Sequence, residues 1–388
     1  MTPPSAIIAN VERELRAIGE ARGPTTRLLS MNLVVVAESI DIAVKYTHVV
    51  DEVSASLLAR AIVVGLEAGS RQGSLEGCAV HVTSPGGEKD SFTERISLTA
   101  RGPMCLRIPS VVESLRVAEV PIALVWLGRL HPNDAIFEQL AERADRVLID
   151  SEYTSVSNLV GLAAYARSRT EGPRVADLAW TRLQPWQELF ARFFDQPAHT
   201  PFAERIESIR VLQASPPDST IGSEAALLVG WLATRLGIRS YRAGGALRYV
   251  RPDGGEVRID LRAVPPPQGV APCTLAEVSF VAREGHELLR GSAVRKLASG
   301  GECGETSDAD VITWRLVPSG GAAMEQRVRL GANKAAKWLE RTLRRPPLDA
   351  ALLESIAFAE NIADELATLE PVEESADLPG GAPGAPSP

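Results

Sequence analysis

Residues 27 to 41 read Arg-Leu-Leu-Ser-Met-Asn-Leu-Val-Val-Val-Ala-Glu-Ser-Ile-Asp, and the fold turns on them. The run from Arg27 to Ala37 is too continuously apolar for a half-exposed strand. It reads as a strand buried on both faces, the kind that occupies the middle of a parallel sheet. A helix-period stretch follows from Ile40 to Leu58. Short, β-branched runs come next at Ala61 to Leu66, Cys78 to Val82, Ile96 to Ala100, Pro121 to Leu127 and Arg146 to Ile149. Helical patterns at 110 to 119 and 134 to 144 separate the later runs, which is the alternation of an α/β sheet. The expectation is an α/β chain whose residues 25–175 form a Rossmann-like N-terminal domain with a mainly parallel sheet.

A dinucleotide-binding domain of this kind needs a glycine-rich turn after the first strand, so that backbone can approach a pyrophosphate at a helix N-terminus. Ala37, Glu38, Ser39, Ile40 and Asp41 stand there instead, and two of them are acids. No cofactor is therefore expected. There is no P-loop pattern and no Ser in a GxSxG elbow. The histidines are His48, His81, His131, His199 and His286, none with a second His three or four residues away. Cys78 and His81 look like half a zinc site, but on a strand they point to opposite faces. His286 and Glu287 begin an HExxH-like pattern in which Arg290 replaces the second histidine, which removes the metal ligand. No catalytic or metal-ligating residue is assigned.

Upstream, Ile7, Ile8, Val11, Leu15 and Ile18 share one helical face, so residues 1–24 read as an N-terminal helix and linker. Downstream, the Gly-Pro pair at 172 and 173 marks a boundary before a junction helix at 176–200. Residues 201–369 read as a second, α+β domain. It opens with a strand over Ile206 to Gln213 and a helix over Ser223 to Leu236, with Ser223 as N-cap and Gly237 as its stop. A hairpin follows around Pro252-Asp253-Gly254-Gly255, with Val257, Ile259 and Leu261 facing one way and Arg258, Asp260 and Arg262 the other. Strands near 274–283 and 309–317 and helices near 331–345 and 348–369 complete it. The acidic Pro/Gly tail, 370–388, is expected to be disordered.

At 388 residues the chain exceeds one ordinary core, and 45% apolar with 23% charged residues is the make-up of a globular protein. Its net charge of −8 argues against sequence-independent nucleic-acid binding, which runs on a basic surface. The four cysteines contain no CxxC pair. The uncharged stretch Thr154 to Ala166 is too short and too polar to span a membrane. The N-terminus has no secretory signal pattern. A cytoplasmic protein is expected.

Two features remain. Trp180, Arg182, Pro185 and Trp186 lie at the domain junction, where Trp180 and Trp186 either anchor the two halves or, with Arg182, form a binding surface, since Trp and Arg dominate interface energetics. Lys334, Lys337, Arg341 and Arg344 step by three, four and three along one side of a helix whose other side carries Ala335, Trp338, Leu339 and Leu343. That basic ridge is either a solvated face or a dock for an acidic partner surface.

The stretch DLAWTRLQPWQELFARFFD, residues 177–195, resembles the OpcA family of glucose-6-phosphate dehydrogenase assembly or activator proteins. The likeness extends to EAALLVGWLATRLGIRS at 224–240 and to the order MNLVVVAE, RAIVVGLE, CAVHVTSPGG, VPIALVWLG and RVLIDS. It covers about residues 27 to 365. The resemblance implies a non-catalytic partner that binds glucose-6-phosphate dehydrogenase, promotes its active oligomer and supports NADPH production in the oxidative pentose phosphate pathway. It supplies no catalytic residues. The alternatives are an α/β enzyme acting on a sugar phosphate or nucleotide through scattered residues, and a scaffold with no pathway-specific partner.

Overall fold

The computed structural model describes residues 3–20, 29–83, 92–130, 134–151, 156, 159–161, 163–164, 174–215, 221–265, 274–297, 310–329, 335–344 and 349–366. The 172–173 boundary, most of the Thr154 to Ala166 stretch, Lys334 and the 370–388 tail lie outside them.

The first sheet is built as its sequence dictates. Strand β1 (Met31–Ala37) is almost wholly buried and sits at the centre. On one side it pairs in parallel with β2 (Ala59–Glu67), Val35 opposite Val63. On the other it pairs in parallel with β5 (Ile122–Leu127), Val35 opposite Val125. Parallel pairing continues through β4 (Phe92–Arg101) beyond β2, and through β6 (Arg146–Ile149) and β7 (Arg174–Asp177) beyond β5. With β3 (Ser74–Thr83) the order is β3-β4-β2-β1-β5-β6-β7. Leaving out β3, the chain order reverses at β1, as in a doubly wound fold. Strand β3 alone runs antiparallel, at the edge. Helix α1 (Pro4–Glu20) lies against it, with Glu14 accepting from the Ala79 amide at 2.6 Å.

Helix α2 (Ile40–Leu57) starts at Ser39, whose hydroxyl accepts from the Asp41 amide, and stops at Leu58 in the left-handed conformation. A Cβ on Gly65 of β2 would stand 2.9 Å from the Ile40 Cα, so glycine lets α2 seat closely on the sheet. Helices α3 (Ile108–Leu115) and α4 (Ala135–Ala141) follow, the second capped by Asp134 accepting from the amides of Ile136 and Phe137.

After β7 come α5 (Leu178–Arg182) and α6 (Gln184–Ala191). The junction region is thus a strand and two short helices, not one continuous helix. The second sheet has the order β15-β14-β13-β12-β8-β11-β10-β9. Its strands are β8 (Ile206–Ala214), β9 (Arg239–Ala243), β10 (Ala246–Val250), β11 (Glu256–Val264), β12 (Thr274–Glu284), β13 (Glu287–Leu297), β14 (Asp310–Pro318) and β15 (Met324–Arg329). Only β8 and β11 are parallel neighbours. Helices α7 (Ser223–Arg235) and α9 (Ala350–Leu366) pack on each other, and α7 contacts β8 and β12. They meet tightly: a Cβ on Gly230 would lie 2.3 Å from the Ser355 carbonyl oxygen.

Two local readings change, at the start of α7 and at the helix read near 331–345, while the His286–Glu287 pattern falls at an exposed strand end. The N-cap of α7 is Gly222, not Ser223, because the Gln213 side chain accepts from the Gly222 amide and leaves no room for a Cβ there. His286 and Glu287 lie in the β12–β13 hairpin, where Gly285 takes a positive φ of 59°, so the pattern has no helix on which to act. Helix α8 (Ala335–Arg344), grouped by sequence with the second domain, returns to the first sheet: Ala336, Leu339 and Leu343 share a core with Leu33, Val50 and Val53 of β1 and α2.

Candidate functional site

The place where a dinucleotide would bind is occupied by the chain's own side chains. Glu38 follows β1 and folds across to accept from the Arg129 amide at 2.8 Å, its carboxylate lying against Gly128. The first turn of α2 is satisfied by Ser39 and carries Asp41, so the helix end that would attract phosphate is capped and acidic. An acid near the end of the second strand ordinarily takes the ribose hydroxyls. Here Glu67 is held by Arg101 at 2.8 Å. These residues do not fit a nicotinamide dinucleotide. Among the described residues no group of three His, Cys, Asp or Glu could hold a metal.

The junction residues assemble into something the sequence did not show. Trp180 is 4% exposed and Trp186 is 3% exposed, so both are packed inside and neither presents a surface. The Trp180 indole donates to Asp349, before α9, at 2.6 Å. Trp186 lies under the Arg295 guanidinium of β13, 5.6 Å from the ring centroid. Phe193 stacks on Trp314 at 4.8 Å, and the Trp314 indole donates to the Leu189 carbonyl at 3.0 Å. Side chains from 180 to 193 therefore join the two sheets through one apolar core.

Arg182 is the polar centre of this joint. Its guanidinium donates to both Asp150 oxygens, at 2.7 and 2.9 Å, and to Glu224 at 2.8 Å. Asp150 directly follows β6, while Glu224 belongs to the first turn of α7, so one side chain bridges both halves. Beside it Asp177 caps α5, accepting from the Ala179 amide at 3.0 Å and from the Ser151 hydroxyl at 2.7 Å. Burial pushes the Asp177 carboxyl up to about 6, and the neighbouring Asp150 charge adds to this; the Ser151 hydrogen bonds and Arg182 oppose it. Asp150 and Asp177 are 4% and 1% exposed, which bars a substrate from direct contact, and the arrangement is a locked ionic joint. Sequence spacing could not pair these acids with Arg182, although Asp150 and Asp177 both stand where a strand ends.

Three cations of the basic ridge fall within the described residues. Lys337, Arg341 and Arg344 lie exposed on α8. Arg344 is paired with Glu340 at 2.8 Å, and Glu340 also accepts from Ser56 of α2 at 2.7 Å. Arg341 sits over the Trp338 ring at 5.9 Å. On the buried side, the Thr342 hydroxyl meets that of Thr181 at 2.9 Å, and Arg146 of β6 donates to the carbonyls of Thr342 and Leu343. The ridge is thus mounted on the joint through α5, its outer face free of Arg182 and both tryptophans.

Comparison with known proteins gives two consecutive matches. Residues 50–165 match a model described as the glucose-6-phosphate dehydrogenase subunit N-terminal domain, and 173–356 match its C-terminal domain. A protein carrying the name OxPP cycle protein OpcA from Synechocystis sp. (strain PCC 6803) is 26% identical over 279 residues, covering 68% of this chain and 54% of that protein. Its namesake from Nostoc punctiforme is 26% identical over 286 residues, covering 69% and 57%. The matched part is little more than half the length of these relatives. Solved structures with a similar course include a biliverdin reductase from Synechocystis sp. PCC 6803 (11% identity, TM-score 0.45, 86% of this chain and 98% of that one). Another is the myo-inositol dehydrogenase of Lactobacillus casei (8% identity, TM-score 0.45, 91% and 99%). Such distant likenesses say nothing of activity. The ordered pair of domain matches does identify the chain: it belongs to the OpcA family, the glucose-6-phosphate dehydrogenase subunit family.

Proposed function

We propose that this protein is a non-catalytic partner of glucose-6-phosphate dehydrogenase, which it binds, whose active oligomer it promotes, and whose NADPH production in the oxidative pentose phosphate pathway it supports. The observation carrying this reading is the pair of family matches running in order over most of the chain. Two structural facts support it. The dinucleotide position is filled by Glu38 and capped by Ser39, leaving the Rossmann-like layer as a framework. The two sheets are tied by Arg182 and the Trp180 to Phe193 segment, so a partner gripping one exposed face is held by the whole body.

The proposed contact includes Lys337, Arg341 and Arg344 of α8, with an acidic patch on the dehydrogenase opposite. Trp180, Arg182 and Trp186 act from inside, by holding α8 and the second sheet in register. Activation follows only if the dehydrogenase's active state is bound more tightly than its inactive one. A cytoplasmic location belongs to the same proposal; among the described residues no helix is long and apolar enough to cross a membrane. Co-elution of the two purified proteins on a sizing column tests it. A shared peak heavier than either protein is expected, and separate elution at micromolar concentrations would refute it.

A further inference from the structure

We infer that the outer face of the second sheet is a binding site for a small phosphorylated molecule. The inference is independent of the dehydrogenase reading. This face turns away from α7 and α9, and across it lies a cavity of about 420 Å³, whose lining includes Arg210, Arg258, Arg290 and Arg315, one acid, Asp260, and the small residues Ser208, Ser279 and Ser292. Small-molecule sites fall roughly between 300 and 1,000 Å³.

Strand register explains the shape. One row across the sheet runs Asp260, Arg210, Ser279, Ser292, Arg315 and Glu325. The next runs Arg258, Ser208, Val281, Arg290 and Val317. Small residues therefore form the floor, and long cationic ones the walls. Arg210 and Arg315 are three strands apart, as are Arg258 and Arg290, about 14 Å at the backbone. That gap admits one compact anion between opposing guanidiniums.

The charge is unbalanced. Asp260 is already held by Arg210 at 3.2 Å and by Arg262 at 2.5 Å. Arg258, Arg290 and Arg315 make no hydrogen bond or ion pair to another side chain among the described residues, although Glu325 stands across from Arg315 on β15. Four guanidiniums converge on a trough in a chain whose net charge is −8, so this basic patch runs against the overall charge. Guanidinium forks match phosphate oxygens in pairs, and the hydroxyls of Ser208 and Ser292 add neutral donors beneath, that of Ser279 being turned to the Glu277 carboxylate at 2.8 Å. A flat protein surface would not require the recessed hydroxyl floor, and the phosphoryl group uses both.

Calorimetric titration of the full chain with inorganic pyrophosphate, at low salt, tests the site, with sodium sulfate and a polyglutamate peptide as separate titrants. Expected are one saturable pyrophosphate site, a raised Tm, and affinity about ten-fold weaker in Arg290→Ser and again in Arg315→Ser. Both side chains are exposed, so these variants should fold. Ser292→Asp, which keeps every arginine and places a carboxylate on the floor, should abolish binding. The inference is overturned if pyrophosphate does not saturate, if the variants bind as well as the parent, if sulfate binds equally, or if only polyglutamate binds.

Discussion

Arg182 and Asp150 form a two-pronged ion pair, 2.7 and 2.9 Å long, between the helix that leaves the first sheet and the end of β6. Because the same guanidinium also holds Glu224 of the second half, the pair fastens the two halves to each other. Replacing Arg182 by Met would leave two nearly buried carboxylates without their cation. A loss of about 3–5 kcal/mol in unfolding free energy is expected from chemical denaturation. Adding Asp150→Asn and Glu224→Gln should restore part of it, and a loss below about 1 kcal/mol would show that the joint is held by its aromatic packing alone.

Asp177 gives the joint a pH dependence of definite sign. Its carboxyl titrates near 6 in the folded chain, against an ordinary value of 3.8. Between those values the folded state holds more protons than the unfolded one, so stability falls as pH rises from about 4 through 6. The full effect is on the order of 3 kcal/mol. Asp177→Asn, which can still accept from the Ala179 amide, should remove that slope, so the variant gains on the parent between pH 4 and 7. Parallel pH profiles for the two proteins would contradict the assignment.

Glu38 fills the space beside Gly128 that a cofactor pyrophosphate would need. Adding NADPH or NADH up to millimolar concentration should therefore leave Tm unchanged and produce no saturable shift in nicotinamide fluorescence. Saturable binding that sharpens in Glu38→Gly would reverse this reading of the first domain.

The exposed cations of α8 bear on association more than on stability. Reversing Lys337 and Arg341 to Glu should slow association with the dehydrogenase about ten-fold at low salt, while the difference shrinks toward 0.5 M salt. Thermal stability should change by less than about 1 kcal/mol, as for surface charges generally. An association rate that ignores both substitutions would return the ridge to a solvated face.

How much of this was legible in the sequence follows from range. The buried strand read at 27 to 37, which the structure begins at Met31, its neighbours and the hairpin around Pro252 to Gly255 announce themselves by local pattern, and the structure has them close to where they were read. Strand β13 did not, because Glu287 to Leu297 mixes Gly, Ser and Arg without clean alternation and is a strand only between β12 and β14. The tryptophans at the junction were visible as a concentration, but whether they face inward depends on partners more than 100 residues away, Asp349 for Trp180 and Arg295 for Trp186. The return of α8 to the first sheet is equally non-local, and its basic side gave no hint of which core its apolar side would join. The arginine trough needs strand register, which no single strand contains.

The proposal that this chain tunes a neighbouring enzyme is tested most directly by titrating it into the cognate glucose-6-phosphate dehydrogenase while recording particle mass and initial velocity in the same solution. Mass and velocity should rise together and saturate at one fixed ratio of the two proteins, with no turnover from this chain alone. Velocity and mass that stay flat through a several-fold excess, or turnover of glucose 6-phosphate by the isolated protein, would contradict it.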